Sequence, residues 1–408
     1  MNYGYFRDLA PPSHHALYRL PARNQPELHG APRSGTPHVM VLSVSAGAGH
    51  VRAAEAICDS IHAMHPQAAV RHIDVMDFAS FPLRKTYTSL YLAVINRFPA
   101  LWRQIYQRTD CARSNGLFER LRRAMEQAGV ARLLREIERV GPDAIICTHF
   151  LPADILARLR RNGRLRCPVW VQVTDFDLHR MWVHKGIDGY FAGNEEVAYR
   201  LRDKGVAPGA VRVTGIPVMA EFGQAANRAA CASELGIDPA RVTLLLMGGG
   251  AGLGKLDQLA ERLLQLDRDF QLIVMAGRNA AMLARLRLLE KRFPGRLIAK
   301  GYTGKVAQLM ACSDVAITKP GGLTVSECLA MGLPMILYQP VPGQEERNAD
   351  YLLEQGVALK AGDPATLDYR LLDLLRHPER LASMRSRARG LGKAGAARAV
   401  VDTVLGFR

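Results

Sequence analysis

Short, almost wholly apolar runs alternate along this chain with longer stretches in which apolar residues recur every three or four positions. The first run, His38-Val39-Met40-Val41-Leu42-Ser43-Val44, reads as a buried strand, because a parallel strand covered on both faces is continuously apolar rather than alternating. It passes into the turn Ser45 to His50 and then into a helical pattern over Val51 to Met64. Further strands are predicted at Val70–Ile73, Ala144–Cys147, Pro168–Val173 and Gly189–Phe191, and the series closes near Val211–Pro217. A second series follows at Thr243–Met247, Gln271–Ala276, Leu297–Lys300, Val315–Thr318 and Met335–Leu337. Strand and helix in alternation predict an α/β chain of two doubly wound, Rossmann-like domains. The expected division is a loose tail over 1–37, a first domain over 38–218 and a second over 219–408 that includes the C-terminal helices, with a hinge near Pro217–Phe222. Ligands of such sheets sit beyond the carboxyl ends of the strands, so the two domains are expected to face a cleft.

Composition narrows the class. With 48% hydrophobic and 23% charged residues, the 408-residue chain is globular, and none of its apolar runs approaches the ~20 residues of a membrane span. Seven cysteines without a CxxC pair point to a reducing, cytoplasmic setting and away from disulfide frameworks or zinc. Met1 to Pro37, rich in Pro and His, has no apolar core of a secretory signal. The formal charge of +16 calls for an anionic partner. Half of that excess lies between Arg84 and Arg135, where eleven basic residues stand against three acidic ones. There Tyr87, Tyr91, Phe98 and Trp102 keep a helical period, with Arg97 among them and Arg103 directly after. That pattern fits either an interfacial helix on an anionic membrane or an ordinary helix with a buried aromatic face. Nucleic acid is disfavoured, since no RNP, KH or helix-turn-helix pattern accompanies it.

Three turns carry candidate chemistry. Gly47-Ala48-Gly49-His50-Val51-Arg52 begins like a dinucleotide fingerprint, but Arg52 stands where the third glycine belongs, which disfavours an oxidoreductase even though Asp74 follows at about the distance of a ribose-binding acid. His50, at a helix start beside the cleft, is a candidate general base, because an unperturbed imidazole titrates near 6.5. Gly248, Gly249 and Gly250 open a run of five glycines in seven residues; Leu256 after Lys255 breaks the P-loop order, yet bare amides at a helix start can still hold a phosphate. The densest cluster is Thr318-Lys319-Pro320-Gly321-Gly322-Leu323-Thr324, followed by Glu327 and by Gln344-Glu345-Glu346-Arg347-Asn348. Gly321, Gly322 and Thr324 form a second phosphate cradle; Glu327 suits a ribose diol; Gln344, Glu345 and Asn348 suit sugar hydroxyls. Asp175-Phe176-Asp177 has the D-x-D form of a metal site but is read as structural or acceptor-shaping.

These residues together resemble glycosyltransferase family 28, in the branch of monogalactosyldiacylglycerol synthases and processive diacylglycerol glucosyltransferases. The resemblance rests on Ser45–Ile57 (SAGAGHVRAAEAI), Val173–Glu196 (VTDFDLHRMWVHKGIDGYFAGNEE), Thr214–Val218 (TGIPV) and Thr318–Asn348. It implies a GT-B fold, with acceptor and membrane contacts in the first domain (Gly49, Asp175, Tyr87, Tyr91, Arg97, Trp102, Arg103) and a UDP-sugar in the second. It further implies His50 as catalytic base and Glu327 on the ribose. Gln344 and Glu345 fall on the donor sugar, Gly321, Gly322, Leu323 and Thr324 on the diphosphate, and Gly277, Arg278 and Tyr302 around the uracil. The expected activity is inverting transfer of a hexose to diacylglycerol, without metal or cofactor, by a protein held peripherally on the inner face of the cell membrane. The alternatives are an N-acetylglucosaminyltransferase acting on a polyprenyl-linked acceptor and a nucleotide-sugar epimerase of similar shape. Glu346-Arg347 departs from the small residues usual at that point.

Overall fold

The computed structural model describes residues 36–45, 47–78, 103–104, 117–224, 227–248 and 255–406, with side chains from 129 onward in the helix that begins at 117. The first sheet comprises β1 (His38–Ser43), β2 (Ala69–Asp74), β3 (Ala144–Cys147), β4 (Val169–Gln172), β5 (Gly189–Ala192) and β6 (Val211–Val213), in the order β2-β1-β3-β4-β5-β6. The second comprises β7 (Thr243–Met247), β8 (Gln271–Met275), β9 (Leu297–Lys300), β10 (Val315–Thr318), β11 (Met335–Tyr338) and β12 (Ala358–Ala361), in the order β12-β11-β10-β7-β8-β9. Every pairing in both is parallel. The central strands β3, β4, β5, β7 and β10 are buried throughout, as their unbroken apolar sequences require. Strand β2 (AVRHID) is an edge and carries charge toward water, which blunts pairing with another chain.

Helices on both faces complete each layer: α1 (Ala48–Met64), α2 (Leu117–Val140), α3 (Phe150–Arg161) and α4 (Glu195–Asp203) on the first sheet, then α5 (Arg228–Leu235), α6 (Leu256–Leu264), α7 (Ala280–Arg292), α8 (Val306–Ala311), α9 (Gly322–Ala330), α10 (Gln344–Glu354), α11 (Pro364–Arg376) and α12 (Pro378–Leu391) on the second. Among the described residues no helix is long and apolar enough to cross a membrane.

The last helix, α13 (Ala396–Gly406), departs from a simple division of the chain at residue 218. Its Val400, Val401 and Val404 are buried with Val39, Val41, Ile57, Ile61, Trp170 and Phe191 in the core of the first sheet. Burying each valine is worth roughly 1.5–3 kcal/mol, enough to draw the chain end back across. Gly215, inside the TGIPV segment, makes room for that return. It has φ of 90°, and a Cβ there would lie 2.4 Å from the Cβ of Lys393. Gly35–Arg408 accordingly form one compact unit holding both sheets.

Candidate active site

Each sheet reverses its winding at one point, between β1 and β3 in the first and between β7 and β10 in the second. Loops beyond such points diverge and leave a crevice, and the candidate residues gather there. From the first sheet come the first turn of α1, with His50, and the β3–α3 turn, with Thr148 and His149. From the second come Gly248 and the β10–α9 turn, with Gly321 and Gly322. The two walls are close: a Cβ on Gly49 would lie 3.5 Å from the Cβ of Leu323.

His50 is held by its Nδ1. That atom lies 3.0 Å from the carbonyl oxygen of Thr148 and 2.9 Å from Oγ1 of Thr174. A carbonyl only accepts, so the first contact assigns the proton to Nδ1 and leaves Nε2 with a free lone pair. Thr148 Oγ1 in turn donates to the His50 carbonyl at 2.8 Å. Burial pushes the imidazole down to about 4, against the smaller upward pull of the Thr148 carbonyl, so the ring is neutral at pH 7. The sequence places His50 near the ordinary histidine value; desolvation in the cleft corrects that expectation.

A second imidazole, which the sequence reading does not single out, packs edge-to-face on the first at 4.5 Å between centroids. His149 caps α3, its Nδ1 accepting from the Leu151 amide, and burial holds it well below the usual histidine range. Trp182 closes the group at 6.3 Å from both rings. The available signal was position, since His149 follows β3 at the reversal point just as the glycine turn follows β1.

On the opposite wall, Gly321 precedes α9 as an uncapped N-terminus. The first helical bond is Val325 N to Gly321 O, which leaves the amides of Gly322, Leu323 and Thr324 without a helical acceptor. Gly322 also answers a packing need, because a Cβ there would lie 2.0 Å from the carbonyl oxygen of Thr174 on the facing wall. One turn on, Glu327 is half-buried, and burial raises its carboxyl to about 8 despite the opposing pull of Arg52. Arg52 itself pairs with Glu55 at 2.7 Å. Arg278 lies over the Tyr302 ring at 4.5 Å, beside Gly277 with its φ of 56°. The Tyr302 ring remains exposed, a flat platform at the cleft edge.

Helix α10 begins with Gln344 and Glu345, both half-buried. Glu345 Oε2 accepts from the Val341 amide at 2.8 Å, and burial, partly offset by that amide and by Lys319, raises its carboxyl above the usual range. One expectation is corrected here. Asn348, read as a ligand for sugar hydroxyls, is fully buried and committed to the protein: Oδ1 accepts from Phe176 N at 2.8 Å, and Nδ2 donates to Pro320 O at 3.1 Å and Asp175 Oδ1 at 3.4 Å. Arg103, read as a membrane contact, is exposed and pairs through its guanidinium with Glu346 at 2.6 Å. Glu346 and Arg347, the departure from the family pattern, serve as pairing groups, for Arg347 lies 2.6 Å from Asp177. Asp175 is pushed up to about 6, chiefly by burial, while Asn348 and Trp182 donate to it. Among the described residues no cluster of three metal-ligating side chains occurs. Asp74, at the spacing of a ribose acid, accepts instead from the amides of Ser45 and Met76. Gly248 directly follows β7, whereas Gly249, Gly250, Tyr87, Tyr91, Arg97 and Trp102 lie outside the described residues.

The family model for monogalactosyldiacylglycerol (MGDG) synthase matches residues 50–218, and that for the glycosyltransferase family 28 C-terminal domain matches residues 243–400. The processive diacylglycerol beta-glucosyltransferase of Bacillus pumilus is 30% identical over 371 residues, which span 90% of this chain and 94% of the relative. Among solved structures, MurG of Acinetobacter baumannii aligns with a TM-score of 0.57 at 16% identity, over 91% of this chain and 99% of that one. MnaA of S. aureus with UDP aligns with a TM-score of 0.59 at 12% identity, over 91% and 97%. Identities this low speak to the fold alone, which is that of the two-sheet GT-B enzymes.

Proposed function

This chain belongs to glycosyltransferase family 28, in the branch of the diacylglycerol glycosyltransferases, and we propose from that premise that it moves a hexose from a UDP-sugar to the hydroxyl of diacylglycerol. The transfer inverts the anomeric carbon and takes place at a membrane surface. The observation that carries this reading is the pairing of walls: the first turn of α1, with a neutral His50 whose Nδ1 is held by Thr148, packs against the uncapped N-terminus of α9, where a Cβ on Gly49 would lie 3.5 Å from the Cβ of Leu323.

In the reaction, the acceptor oxygen attacks the anomeric carbon from the side opposite the leaving group. Its proton passes to Nε2 of His50 as the new C–O bond forms. The bond from the anomeric carbon to the β-phosphate oxygen breaks, and its electron pair leaves with UDP. A base this weak takes the proton late, once attack has made the hydroxyl acidic. The free amides of Gly322, Leu323 and Thr324 meet the growing diphosphate charge, with Gly248 to Gly250 as a second source of amides. Glu327 receives the ribose, Gln344 and Glu345 the hexose, and Gly277, Arg278 and Tyr302 the uracil. Neither metal nor other cofactor takes part, since fixed dipoles supply the compensation. The basic, aromatic segment around Tyr87, Tyr91, Arg97 and Trp102 holds the protein on the anionic inner face of the cell membrane.

The test offers each UDP-hexose with diacylglycerol in mixed micelles, with and without EDTA, and analyses the lipid product by chromatography and proton NMR. A β-linked glycolipid formed at the same rate in EDTA is the expected outcome; an α-linkage, a strict metal requirement, or no lipid product would each remove the corresponding part of the reading.

A further inference from the structure

The D-x-D sequence that ends the β4 loop takes no part in the chemistry described above, yet its backbone and side chains grip one helix of the opposite half. Asp177 Oδ2 lies 2.6 Å from Nη1 of Arg347 in α10, and Arg200 stands 2.9 Å from its other oxygen. The Phe176 amide donates to Asn348, and the Phe176 ring stacks on Tyr351 at 5.3 Å and 21°. At the other end of the same short loop, Thr174 Oγ1 lies 2.9 Å from Nδ1 of His50. Four consecutive residues therefore touch the proposed base at one end and the helix that begins with Gln344 and Glu345 at the other.

We propose that Asp177 and Arg347 are positioning residues for the transfer, an ion pair through which the loop 174–177 fixes the angle of α10 and so sets the donor sugar in register with His50. The inference rests on the reading of the reaction given above. Its physical basis is that Asp177 is 9% exposed at its side chain, so the pair works in a partly desolvated setting where geometry counts, and that Arg347 projects from α10 one turn beyond Gln344. Arginine presents a planar fork to a carboxylate and fixes direction as well as distance. Reacting atoms tolerate little displacement, since a shift of about 1 Å can cost ~100-fold in rate. On the reading given above UDP is held by α9 and by Arg278 and Tyr302, elements other than the helix that carries Arg347.

The experiment measures kcat and KM for the UDP-sugar, UDP affinity by calorimetry, and thermal stability for Arg347→Gln, Asp177→Asn and the double variant. Each single variant is expected to lose on the order of 10- to 100-fold in kcat while UDP affinity stays within about twofold. The double variant should be no slower than the worse single one, because the two side chains act as one unit. A kcat within about threefold of the unaltered protein, or a fall in UDP affinity as large as the fall in kcat, overturns the proposal. Multiplicative losses in the double variant overturn it as well. If Asp177→Asn fails to fold, Arg347→Gln, whose side chain is 31% exposed, decides alone. The unaltered protein is assayed in parallel: absence of its glycolipid product defeats the reading of the reaction, whereas normal product with unchanged variants defeats only the ion pair.

Discussion

The two walls of the cleft come from sheets of the same kind, yet burial neutralises one group on each by opposite routes. On the first wall burial strips the proton from imidazoles, taking His50 to about 4. On the second it keeps a proton on carboxyls, taking Glu327 to about 8. Both groups are uncharged at pH 7, in a chain whose formal charge is +16. The lesson is that surplus charge says little about a cleft. Desolvation acts on each ionisable group against whichever form is charged, so burial, and not composition, sets which groups of a cleft carry charge.

That contrast can be broken one wall at a time. The largest effect is expected for His50→Ala, which should lower transfer by 100- to 10,000-fold, the usual range for a general base, while leaving UDP affinity unchanged in calorimetry. Loss of UDP binding in this variant would show that the walls are not separable. Next is Glu327: if the ribose diol donates to its carboxylate, a group with a pKa of about 8 must release close to one proton per UDP bound at pH 7. Calorimetry in buffers of different ionisation enthalpy reads that number, and Glu327→Gln should bring it near zero.

The pH profile sharpens the first wall. The acid limb of kcat/KM assigned to His50 should lie nearer 4 than 6.5. The same shift has a stability consequence of fixed sign. The unfolded chain binds the proton at 6.5 and the folded one only at about 4, so stability is full above 6.5 and falls as pH drops toward 4. A His50→Phe variant should lose less stability over that window, as read by chemical denaturation at several pH values. The smallest catalytic effect is expected for Gly215→Ala, at the joint that lets α13 return. A side chain there meets Lys393 and a φ of 90°, so the melting temperature should fall by the equivalent of ~1–3 kcal/mol, with KM for the donor unchanged.

Much of the fold was legible because parallel strands buried on both faces must be largely apolar, and the central strands β3, β4, β5, β7 and β10 announce themselves in that way. Strand β12 escaped because Ala358–Ala361 is short, holds a lysine and is only partly buried, an edge pattern that a loop can imitate. The turn at Gly321 and Gly322 was legible as a helix start, because glycines that follow a buried strand and precede a helical pattern mark that junction. His149 and the interlocking role of Asn348 were not, since a lone histidine and a lone amide look alike whether they cap, pack or bind.

What the sequence by itself determined is therefore local: two series of strands and helices, uncapped helix starts beyond the strands, and a histidine at the head of α1. The tertiary structure decided which groups share a space. Only the approach of the two sheets makes Gly322 a contact for Thr174, turns Asp175-Phe176-Asp177 into a grip on α10, and carries α13 back to the first core. It also decided the charge of the site. Spacing along a chain carries no information about desolvation, which depends on every atom that folding brings within a few ångströms.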